Sequence, residues 1–277
     1  MVIKKVVAPV RVDFAGGTTD IHPFTELGGA VLNCAINKYV HGTLTATDEK
    51  VKLEYHADVP TSSGLGTSGV MTLVWLALIS SEKDKIKLAE RVYKIEQAMG
   101  QVGGKQDQYA GALGGINFLE FNADKVKVTP IKLHGSFLKE FEDNLVLYYT
   151  KKPHVATKLN AYVINNLMKG RITNGLMRIR NIAKEMKNAL EKKDLSKFGD
   201  LMNEELNERR KLHPQLVGET IDKYVKIGLR NGAVGAKVCG AGGGGSILFL
   251  TANKKRLMGK LKGCIDFKFD FEGLRWI

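Results

Sequence analysis

The sequence has few of the residues that would tie the chain to a disulfide framework or to a membrane. It contains three cysteines in 277 residues, Cys34, Cys239 and Cys264, and their spacing matches no metal site. An odd and sparse count excludes a disulfide framework and is typical of a reducing compartment. The apolar run Val70–Ile79 is too short and too interrupted to cross a bilayer, and the N-terminus lacks the layout of a signal peptide. These absences predict a cytoplasmic protein without a membrane partner.

Acidic residues are in deficit: 29 Asp and Glu stand against 42 Lys and Arg, which gives a formal net charge of +13. Such an excess favours anionic partners, from nucleic acids to acidic small molecules. Many of the cations lie between residues 151 and 211, where apolar residues recur at helical spacing, so the charges cover solvated helix faces. No aromatic–basic motif accompanies them. The absence of such a motif argues against a nucleic-acid partner, and a phosphate-bearing small substrate stays open.

The order of the predicted elements favours an α+β fold in two lobes. No internal repeat, low-complexity tract or Pro/Ser-rich linker interrupts the chain. Because strands and helices do not alternate one for one, a doubly wound parallel sheet is not expected. We expect an N-terminal lobe over residues 1–148 and a C-terminal lobe over residues 149–277. The patterns predict strands at 4–14, 30–36, 39–47, 51–56, 115–121, 126–131, 145–150, 236–239, 246–250 and 265–271, and helices at 68–80, 85–99, most of 154–231, and 253–261.

The segment Pro60–Gly69 is a candidate phosphate-binding loop. Gly64 and Gly66 remove side chains where the backbone must bend, and Thr67 and Ser68 follow at the start of a predicted helix. The N-terminus of a helix offers unpaired N–H donors and the positive end of the helix dipole, which together attract phosphate. No lysine precedes the hydroxyl residues, so this is not a Walker A loop. A plain turn before a helix remains the alternative.

A second candidate segment, Arg11–Asp20, ends a predicted strand in a glycine turn. It places a guanidinium and a carboxylate on either side of that turn. The arginine is suited to stabilise developing phosphoryl charge, and the carboxylate to accept hydrogen bonds from sugar hydroxyls. An Asx-capped turn beside an ordinary ion pair is the alternative.

Glu96 is a candidate metal ligand. On the predicted helix 85–99 it follows Ala89, Val92 and Tyr93 along one face, which is otherwise the buried face. A buried carboxylate needs a partner, and Mg²⁺ is one such partner. Because Glu96 lies near the end of the helix, its side chain reaching solvent is the alternative.

Two further glycine-rich segments are candidates for the remaining parts of a site. In Gly103–Gly115, Asp107 lies between two amides and two residues from Lys105, and its carboxylate is suited to orient or deprotonate a hydroxyl nucleophile. Glycines occupy five of the six positions in Gly240–Gly245, a density that predicts close approach to another backbone or to a ligand. A loop without catalytic role and a flexible hairpin are the respective alternatives.

Together these segments resemble the GHMP kinase superfamily, named for galactokinase, homoserine kinase, mevalonate kinase and phosphomevalonate kinase. Three motifs occur in the expected order, Arg11–Asp20, Gly64–Ser68 and Gly240–Gly245, and the resemblance extends through nearly the whole chain. Thr67 replaces the more usual first serine of the middle motif, a change that keeps the hydroxyl.

Within the superfamily, the chain is most similar to the D-glycero-D-manno-heptose 7-phosphate kinases. Three stretches carry this similarity: Phe14–Asp20, the run from Gly103 to Phe121, and the ending Asp266–Arg275. One departure lies in Thr150–His154, where a stretch containing Gly and Ser/Arg is expected. If that stretch holds the substrate phosphate, either Lys151 and Lys152 replace it or the acceptor differs.

The resemblance implies an N-terminal lobe like ribosomal protein S5 domain 2, a ferredoxin-like C-terminal lobe, and an active site between them. It implies ATP as donor, Mg²⁺ as cofactor, and a small-molecule acceptor, and it leaves a homodimer open. Carried over motif by motif, the resemblance implies Asp107 as base, with Arg11 and Lys105 screening charge at the reacting groups. It implies that the metal is held by Ser68 and Glu96. The implied nucleotide contacts are Ser63, Gly64, Leu65, Gly66, Thr67 and Ser68, and the implied substrate contacts are Asp20, Thr19, Gly17, Gly104, Gly242 and Gly243.

The function implied is phosphorylation of a sugar hydroxyl, foremost the anomeric 1-hydroxyl of D-glycero-D-manno-heptose 7-phosphate. A kinase for another sugar, such as galactose or fucose, and a mevalonate-type kinase are the enzyme alternatives. A nucleotide-binding regulator that has lost catalysis is the non-enzyme alternative. The joint presence of Ser68, Glu96 and Asp107 argues against that last reading, because a non-catalytic relative has no need of the full set.

Overall fold

The computed structural model describes residues 1–153 and 156–277, which form two antiparallel sheets with helices packed around them. The strands are β1 (Val2–Ala15), β2 (Gly29–Ala46), β3 (Val51–Ala57), β4 (Ile116–Asn122), β5 (Lys125–Pro130), β6 (Leu145–Tyr149), β7 (Ala233–Val238), β8 (Ser246–Thr251), β9 (Cys264–Ile265) and β10 (Arg275–Trp276). The helices are α1 (Thr67–Ile79), α2 (Lys85–Ala98), α3 (Gln106–Leu113), α4 (Gly135–Asp143), α5 (Ala156–Met168), α6 (Thr173–Glu191), α7 (Leu195–Leu212), α8 (Glu219–Arg230) and α9 (Lys254–Lys260). The predicted α+β class is confirmed.

The first sheet has the order β10-β1-β2-β4-β5, and β3 pairs with the free end of β2. We predicted two strands over residues 30–47, but β2 is continuous. The pairing of β1 with β2 passes from Pro9–Tyr39 to Val10–Ile36, so the polar residues between the two predicted strands form a bulge rather than a turn. The bulge lets one long strand follow the twist of its neighbour while its register changes.

The second sheet has the order β7-β8-β6-β9. Counted along the chain within this sheet, the order is 4-1-3-2 when read from β9, as in a ferredoxin-like lobe. The predicted strand 265–271 is wrong except at its start. Only Cys264–Ile265 pairs with β6, and the chain then returns to the first sheet, where Phe269 bridges Ile36 and β10 pairs with β1. The predicted lobe boundary at 148/149 stays a prediction; the two sheets divide between β5 and β6.

Two helices were not predicted. Helix α3 lies in the segment Gly103–Gly115, which we interpreted as a glycine-rich loop. Glycine is a poor helix former, and five glycines flank or interrupt this helix. Gly111 packs against Val70 of α1, where a Cβ would lie 3.0 Å from the valine Cγ2, so tertiary packing outweighs helix propensity there. Helix α4 buries only Phe137 and Phe141, one turn apart, which is a short signal. The predicted helical stretch from residue 154 to 231 is confirmed over α5–α8, and its first two residues lie outside the described part.

The hydrophobic core runs without a break from the first sheet into the second lobe. Phe14 of β1, Phe141 of α4 and Phe198 of α7 form a mutual aromatic cluster, with ring centroids 5.2–5.5 Å apart. Such pairs add to the free energy gained from burial, so this cluster holds β1 and α7 in fixed relation. The three cysteines are free, as predicted. Within residues 1–153 and 156–277, no helix is long and apolar enough to span a bilayer.

Candidate active site

A cavity of about 420 Å³ opens where several parts of the chain meet: β1 with the turn after it, the start of α1, the end of α2, the segment leading into α3, one residue of α5, and the loop after β7. Each of the four candidate segments contributes to its wall. Helix α1 begins at Thr67 after Gly66, and no described side chain caps its first turn. Its first N–H groups, which lack partners within the helix, therefore border the cavity and give it an anion-binding edge.

The two glycine loops touch each other behind this edge. A Cβ on Gly64 would lie 2.6 Å from the carbonyl oxygen of Cys239, and a Cβ on Gly240 would lie 2.9 Å from the carbonyl oxygen of Gly64. Ser246 Oγ also donates a hydrogen bond to the carbonyl oxygen of Ser63. The density of glycine in residues 240–245 thus serves a close backbone approach, as predicted, and joins the loop of one lobe to the loop of the other.

Asp107 lies at this junction, in the first turn of α3. Its Oδ1 accepts a hydrogen bond from Arg11 Nε at 2.8 Å and lies 2.6 Å from Arg11 Nη2. Arg11 Nη1 donates to the carbonyl oxygen of Gly64, so one guanidinium holds both the carboxylate and the glycine loop. A Cβ on Gly66 would lie 2.9 Å from Asp107 Cγ, which places the carboxylate directly against the loop that begins α1. Both contacts with Arg11 are to Oδ1, and the described residues make no hydrogen bond to Oδ2.

Glu96 faces the same cavity from the end of α2. Its side chain is buried, and its Oε2 accepts a hydrogen bond from Gln108 Nε2 of α3. Burial, and then the nearby carboxylate of Asp107, raises the pKa of Glu96 to about 7. Ser68, the other predicted metal ligand, also lines the cavity and is exposed.

Asp20 is the third carboxylate of the cavity wall. It is buried, its Oδ1 accepts from the Thr18 N–H, and its Oδ2 accepts from the Gln106 N–H. Burial raises the pKa of Asp20 to about 6, and the hydrogen bond from the Gln106 N–H to the ionised form limits the rise. Gly104 packs against this carboxylate so closely that a Cβ would lie 1.9 Å from Asp20 Oδ2. Asp20 and Gly104 therefore form one wall, as expected for residues assigned to the same substrate.

Lys105 corrects one prediction, because it does not face Asp107. Its buried ammonium lies 2.9 Å from Glu90 Oε2, donates to the carbonyl oxygen of Asp124, and lies over the ring of Tyr93. It is absent from the described cavity lining. Lysine is a flexible point charge that turns to the nearest carboxylate, and here that group is Glu90 of α2. Lys105 thus ties the start of α3 to α2 and does not face Asp107, the group that it was expected to screen.

Two predicted substrate contacts in the first motif are also corrected. Thr19 is fully buried, and its hydroxyl lies within hydrogen-bond distance of the Gly16 and Ala30 carbonyl oxygens and the Ala30 N–H. Gly17 is turned toward α7, where its carbonyl oxygen accepts from Arg209. Neither residue is part of the described cavity lining, so both shape the turn that precedes Asp20 rather than contact a ligand in the cavity.

Gly242 and Gly243 lie farther along the second glycine loop than predicted for a substrate contact. They pack against the 3₁₀ turn Pro214–Val217 and α5: a Cβ on Gly242 would lie 2.3 Å from the Leu216 carbonyl oxygen, and one on Gly243 would lie 2.8 Å from Leu159 Cδ1. The residues of this loop that reach the cavity are the first two, Gly240 and Ala241, which were not among the predicted substrate contacts. A run of glycines gives no signal that distinguishes its members.

Within the first glycine loop, Ser63 and Leu65 also turn their side chains away from the cavity. Both are fully buried, and the Leu65 carbonyl oxygen accepts from the Arg11 N–H. Thr67 is buried at the cavity wall, and its Oγ1 has no partner among the described residues. The predicted nucleotide contacts of these three residues stay predictions. Lys151 and Lys152 are exposed and lie outside the described lining.

The cavity has an excess of negative charge. Among the described residues that line it are three carboxylates, Asp20, Glu96 and Asp107, and one cationic group, the Arg11 guanidinium already paired with Asp107. No cluster of three or more His, Cys, Asp or Glu suited to a metal occurs in residues 1–153 and 156–277. The negative charge favours binding of a cation here, but the cation would need further ligands from outside the protein.

Comparison with known proteins decides the family. The family model of the GHMP kinase N-terminal domain matches residues 30–115, and that of the GHMP kinase C-terminal domain matches residues 186–257. These matches take in more than half of the chain. The chain belongs to the GHMP kinases. This GHMP kinase is therefore a phosphotransferase, and ATP is the phosphate donor of its family.

Several known proteins are similar to this GHMP kinase along most of its length. It is 27% identical to a D-glycero-alpha-D-manno-heptose 7-phosphate kinase of Campylobacter jejuni, over 96% of each chain. It is 26% identical to a bifunctional fucokinase/GDP-fucose pyrophosphorylase of Arabidopsis thaliana, over 91% of this chain and 30% of that one.

Solved structures show the same fold. A D-glycero-D-manno-heptose 1-phosphate kinase from Bacteroides thetaiotaomicron superposes with a TM-score of 0.79 at 24% identity, over 100% of this chain and 99% of that one. Lactococcus lactis galactokinase with galactose gives a TM-score of 0.74 at 18% identity, over 99% and 95%. The predicted two-lobed GHMP kinase fold is thereby confirmed.

Proposed function

We propose that this GHMP kinase transfers the terminal phosphate of ATP to a hydroxyl group of a sugar. The observation that carries the proposal is the position of Asp107, a carboxylate held by Arg11 against the N-terminus of α1. A helix N-terminus attracts phosphate, whereas a carboxylate repels it. The two belong together when a hydroxyl must be brought between them, with its proton toward the carboxylate and its oxygen toward phosphorus.

Each group of the wall then has one task. The N–H groups at the start of α1, in the loop 64–68, bind the phosphates of ATP. Asp107 Oδ2 accepts or orients the proton of the sugar hydroxyl. As that oxygen forms its bond to the γ-phosphorus, the bond between the γ-phosphorus and the β–γ bridging oxygen breaks, and ADP leaves. Arg11, fixed between Asp107 and Gly64, stabilises charge on the transferring group.

The donor set at the cavity suits Mg²⁺. Ser68 and Glu96 offer hard oxygen ligands, and burial and the nearby Asp107 carboxylate raise the pKa of Glu96, an effect that a bound cation would oppose. Mg²⁺ in kinases takes few ligands from the protein and the rest from phosphates and water, which agrees with two protein ligands here. When bound, the ion would neutralise charge on the phosphates of ATP.

The proposed acceptor is D-glycero-D-manno-heptose 7-phosphate, phosphorylated at its anomeric 1-hydroxyl. The similarity to the Campylobacter jejuni enzyme and the three stretches found in the sequence support this acceptor. Asp20, backed by Gly104, is placed to accept hydrogen bonds from sugar hydroxyls. The similarity to a fucokinase at nearly the same identity supports the runner-up, a kinase for an unphosphorylated sugar. A mevalonate-type kinase comes third.

The test is an assay of ADP release with Mg²⁺ and ATP against heptose 7-phosphates, fucose, galactose, glucuronate and mevalonate, with the product position read by ³¹P NMR. We expect turnover with the heptose phosphate and a new phosphate at the anomeric carbon. Preference for an unphosphorylated sugar would show that the proposed acceptor is wrong, while the proposed phosphoryl transfer would stand. Binding of ATP without turnover on any acceptor would favour a regulator and contradict the proposed function. Asp107→Asn prepared in parallel excludes a contaminating kinase.

Further predictions accompany this proposal. We expect no nucleic-acid or membrane partner and a cytoplasmic location, and we leave a homodimer open. The lobes 1–148 and 149–277 are proposed as the units between which the substrates bind.

A further inference from the structure

Four charged side chains are fully buried where α7 meets β1 and β7: Asp13, Glu205, Arg209 and Lys237, here called the buried quartet. Lys237 Nζ lies 3.0 Å from Asp13 Oδ2 and 3.5 Å from Glu205 Oε1. Arg209 Nε donates to Glu205 Oε1 at 2.8 Å. Two positive and two negative charges balance, and each exposes no more than 1% of its side chain. None of the four was singled out in the sequence.

Stability alone does not account for this arrangement. Removing ions from water is costly, and apolar residues of similar volume commonly replace buried ion pairs without loss of stability. What apolar residues cannot replace are hydrogen bonds to backbone. Arg209 Nη2 donates to the carbonyl oxygen of Gly17 at 3.0 Å and Nη1 to that of Gly240 at 3.3 Å. Asp13 Oδ1 accepts from the Gly240 N–H at 2.9 Å.

These backbone contacts lead directly to the active site. Gly240 lines the cavity and packs against Gly64, whose carbonyl oxygen accepts from the Arg11 guanidinium that holds Asp107. Gly17 belongs to the turn that precedes Asp20. The quartet therefore holds two glycine segments by hydrogen bonds to their backbone, one segment from each lobe, beside the cavity. Glycine offers no side chain to pack, so hydrogen bonds to its peptide groups are the available means of holding it.

We propose that Arg209 is a positioning residue for phosphoryl transfer: with Asp13 it clamps Gly17 and Gly240 and so sets the distance between the acceptor wall and the phosphate loop. Arg209 acts through Gly240 and Gly64 and touches neither substrate. This inference rests on the proposed kinase function. A shift of about 1 Å in reacting groups is enough to lower turnover strongly, so loss of the clamp is expected to affect kcat more than KM.

The experiment compares Arg209→Met, the charge-balanced double variant Glu205→Gln/Arg209→Met, and Arg210→Met as the matched control. The double variant leaves the Asp13–Lys237 pair and a net charge of zero in the core. Arg210 is the next residue of α7, partly exposed and paired with Asp222, so its removal tests loss of an arginine without loss of the clamp. Measurements are Tm, kcat and KM for both substrates, and amide hydrogen exchange of peptides covering Gly17 and Gly240.

We expect Arg209→Met to lower both Tm and kcat. The double variant should recover most of the Tm, yet keep kcat at least about tenfold below wild type with KM for ATP within about threefold, and exchange faster at Gly17 and Gly240. Arg210→Met should match wild type. Recovery of kcat together with Tm in the double variant would overturn the clamp and leave a structural role. If the wild type phosphorylates no acceptor, the proposed function fails, and unchanged exchange at Gly240 in the double variant would overturn the clamp separately.

Discussion

Two neighbouring groups of charged side chains differ in net charge and in access to water. The buried quartet has two cations and two anions, all inaccessible to water and each bonded to another member or to backbone. The cavity wall beside it has three carboxylates and one guanidinium among its described residues. Asp13 and Arg11 are only two residues apart on β1, so the same strand supplies both groups. The charges of the quartet, which connects the two lobes, sum to zero, whereas the charges of the cavity wall, which faces ligands, sum to a negative value.

The carboxyl pKa values express this difference. Burial by itself raises the pKa of Asp13, but Lys237, Arg11 and Arg209 outweigh it and the net shift is downward. Neither Asp20 nor Glu96 forms an ion pair with a described residue, and burial raises their pKa values to about 6 and about 7. In the quartet, internal cations keep Asp13 ionised inside the protein, whereas Asp20 and Glu96 face the cavity without such an ion-pair partner.

The largest expected effect comes from Asp107→Asn. The amide cannot accept a proton, so kcat should fall by about 10²-fold to 10⁴-fold, while the Kd for ATP changes by less than about threefold. Steady-state ADP release and calorimetric ATP titration measure the two quantities. Near-normal kcat in this variant would remove Asp107 from the chemical step.

Glu96→Gln should have the next largest effect, through the metal. We expect the Mg²⁺ concentration for half-maximal turnover to rise by about tenfold or more, because a ligand charge is lost. Turnover measured across a Mg²⁺ series tests this, with Glu90→Gln as a control carboxylate that does not line the cavity. An unchanged Mg²⁺ dependence would remove Glu96 from the metal site.

The same variant has a pH signature without any ligand. The folded-state pKa of Glu96, about 7, lies above its ordinary value of 4.5, so the folded state holds a proton that the unfolded chain releases. Its stability contribution is present below pH 4.5 and is lost as pH rises through 7. Glu96→Gln should therefore raise Tm at pH 8, with the difference vanishing toward pH 4. A Tm difference that does not vary with pH would contradict the description of Glu96 as a buried, unpaired carboxylate.

Asp20→Asn should act on the acceptor alone. It removes an ionic hydrogen-bond acceptor from the wall backed by Gly104, and we expect KM for the sugar to rise by about tenfold while KM for ATP stays within about twofold. Kinetics with each substrate varied in turn measure both. A rise in KM for ATP rather than for the sugar would mean that Asp20 lies on the nucleotide side of the cavity.

The smallest effect on turnover is expected for Lys105→Met. Because Lys105 is bonded to the partly exposed Glu90 and not to Asp107, its loss should lower stability by about 1–3 kcal/mol and change kcat by less than about threefold. Denaturant unfolding and kinetics at a temperature where the variant is folded separate the two effects. A large fall in kcat without a fall in stability would restore the predicted catalytic role.

The sequence located candidate site residues where a single charged residue stands out from its local surroundings. Glu96 on an apolar helix face and Asp107 beside glycines indicated a site, and the structure brings both to one cavity with Asp20 and Ser68. Prediction failed where many residues of one type share a segment. Lys105 and the glycines of residues 240–245 each had several possible neighbours, and only long-range packing chose Glu90 for one and Gly64 or Leu216 for the others.

The same limit applies to the buried quartet and the final strand. Asp13, Glu205, Arg209 and Lys237 are separated by as many as 224 positions, and charged residues on a helix or strand are ordinarily solvated, so no local pattern distinguishes them. The ending after Ile265 alternates like a strand, but Asp270 bonds Tyr39, Gly273 and Arg275 and turns the chain onto the first sheet. Such partners are known only once the chain is folded.

A crystal structure with Mg²⁺, a non-hydrolysable ATP analogue and the heptose phosphate would show whether Asp107 meets the acceptor hydroxyl. We expect the terminal phosphates at residues 64–68, the metal against Ser68 and Glu96, and a sugar hydroxyl between Asp107 and the γ-phosphorus. A nucleotide bound elsewhere, or a sugar whose hydroxyls all lie beyond hydrogen-bond distance of Asp107, would contradict this arrangement.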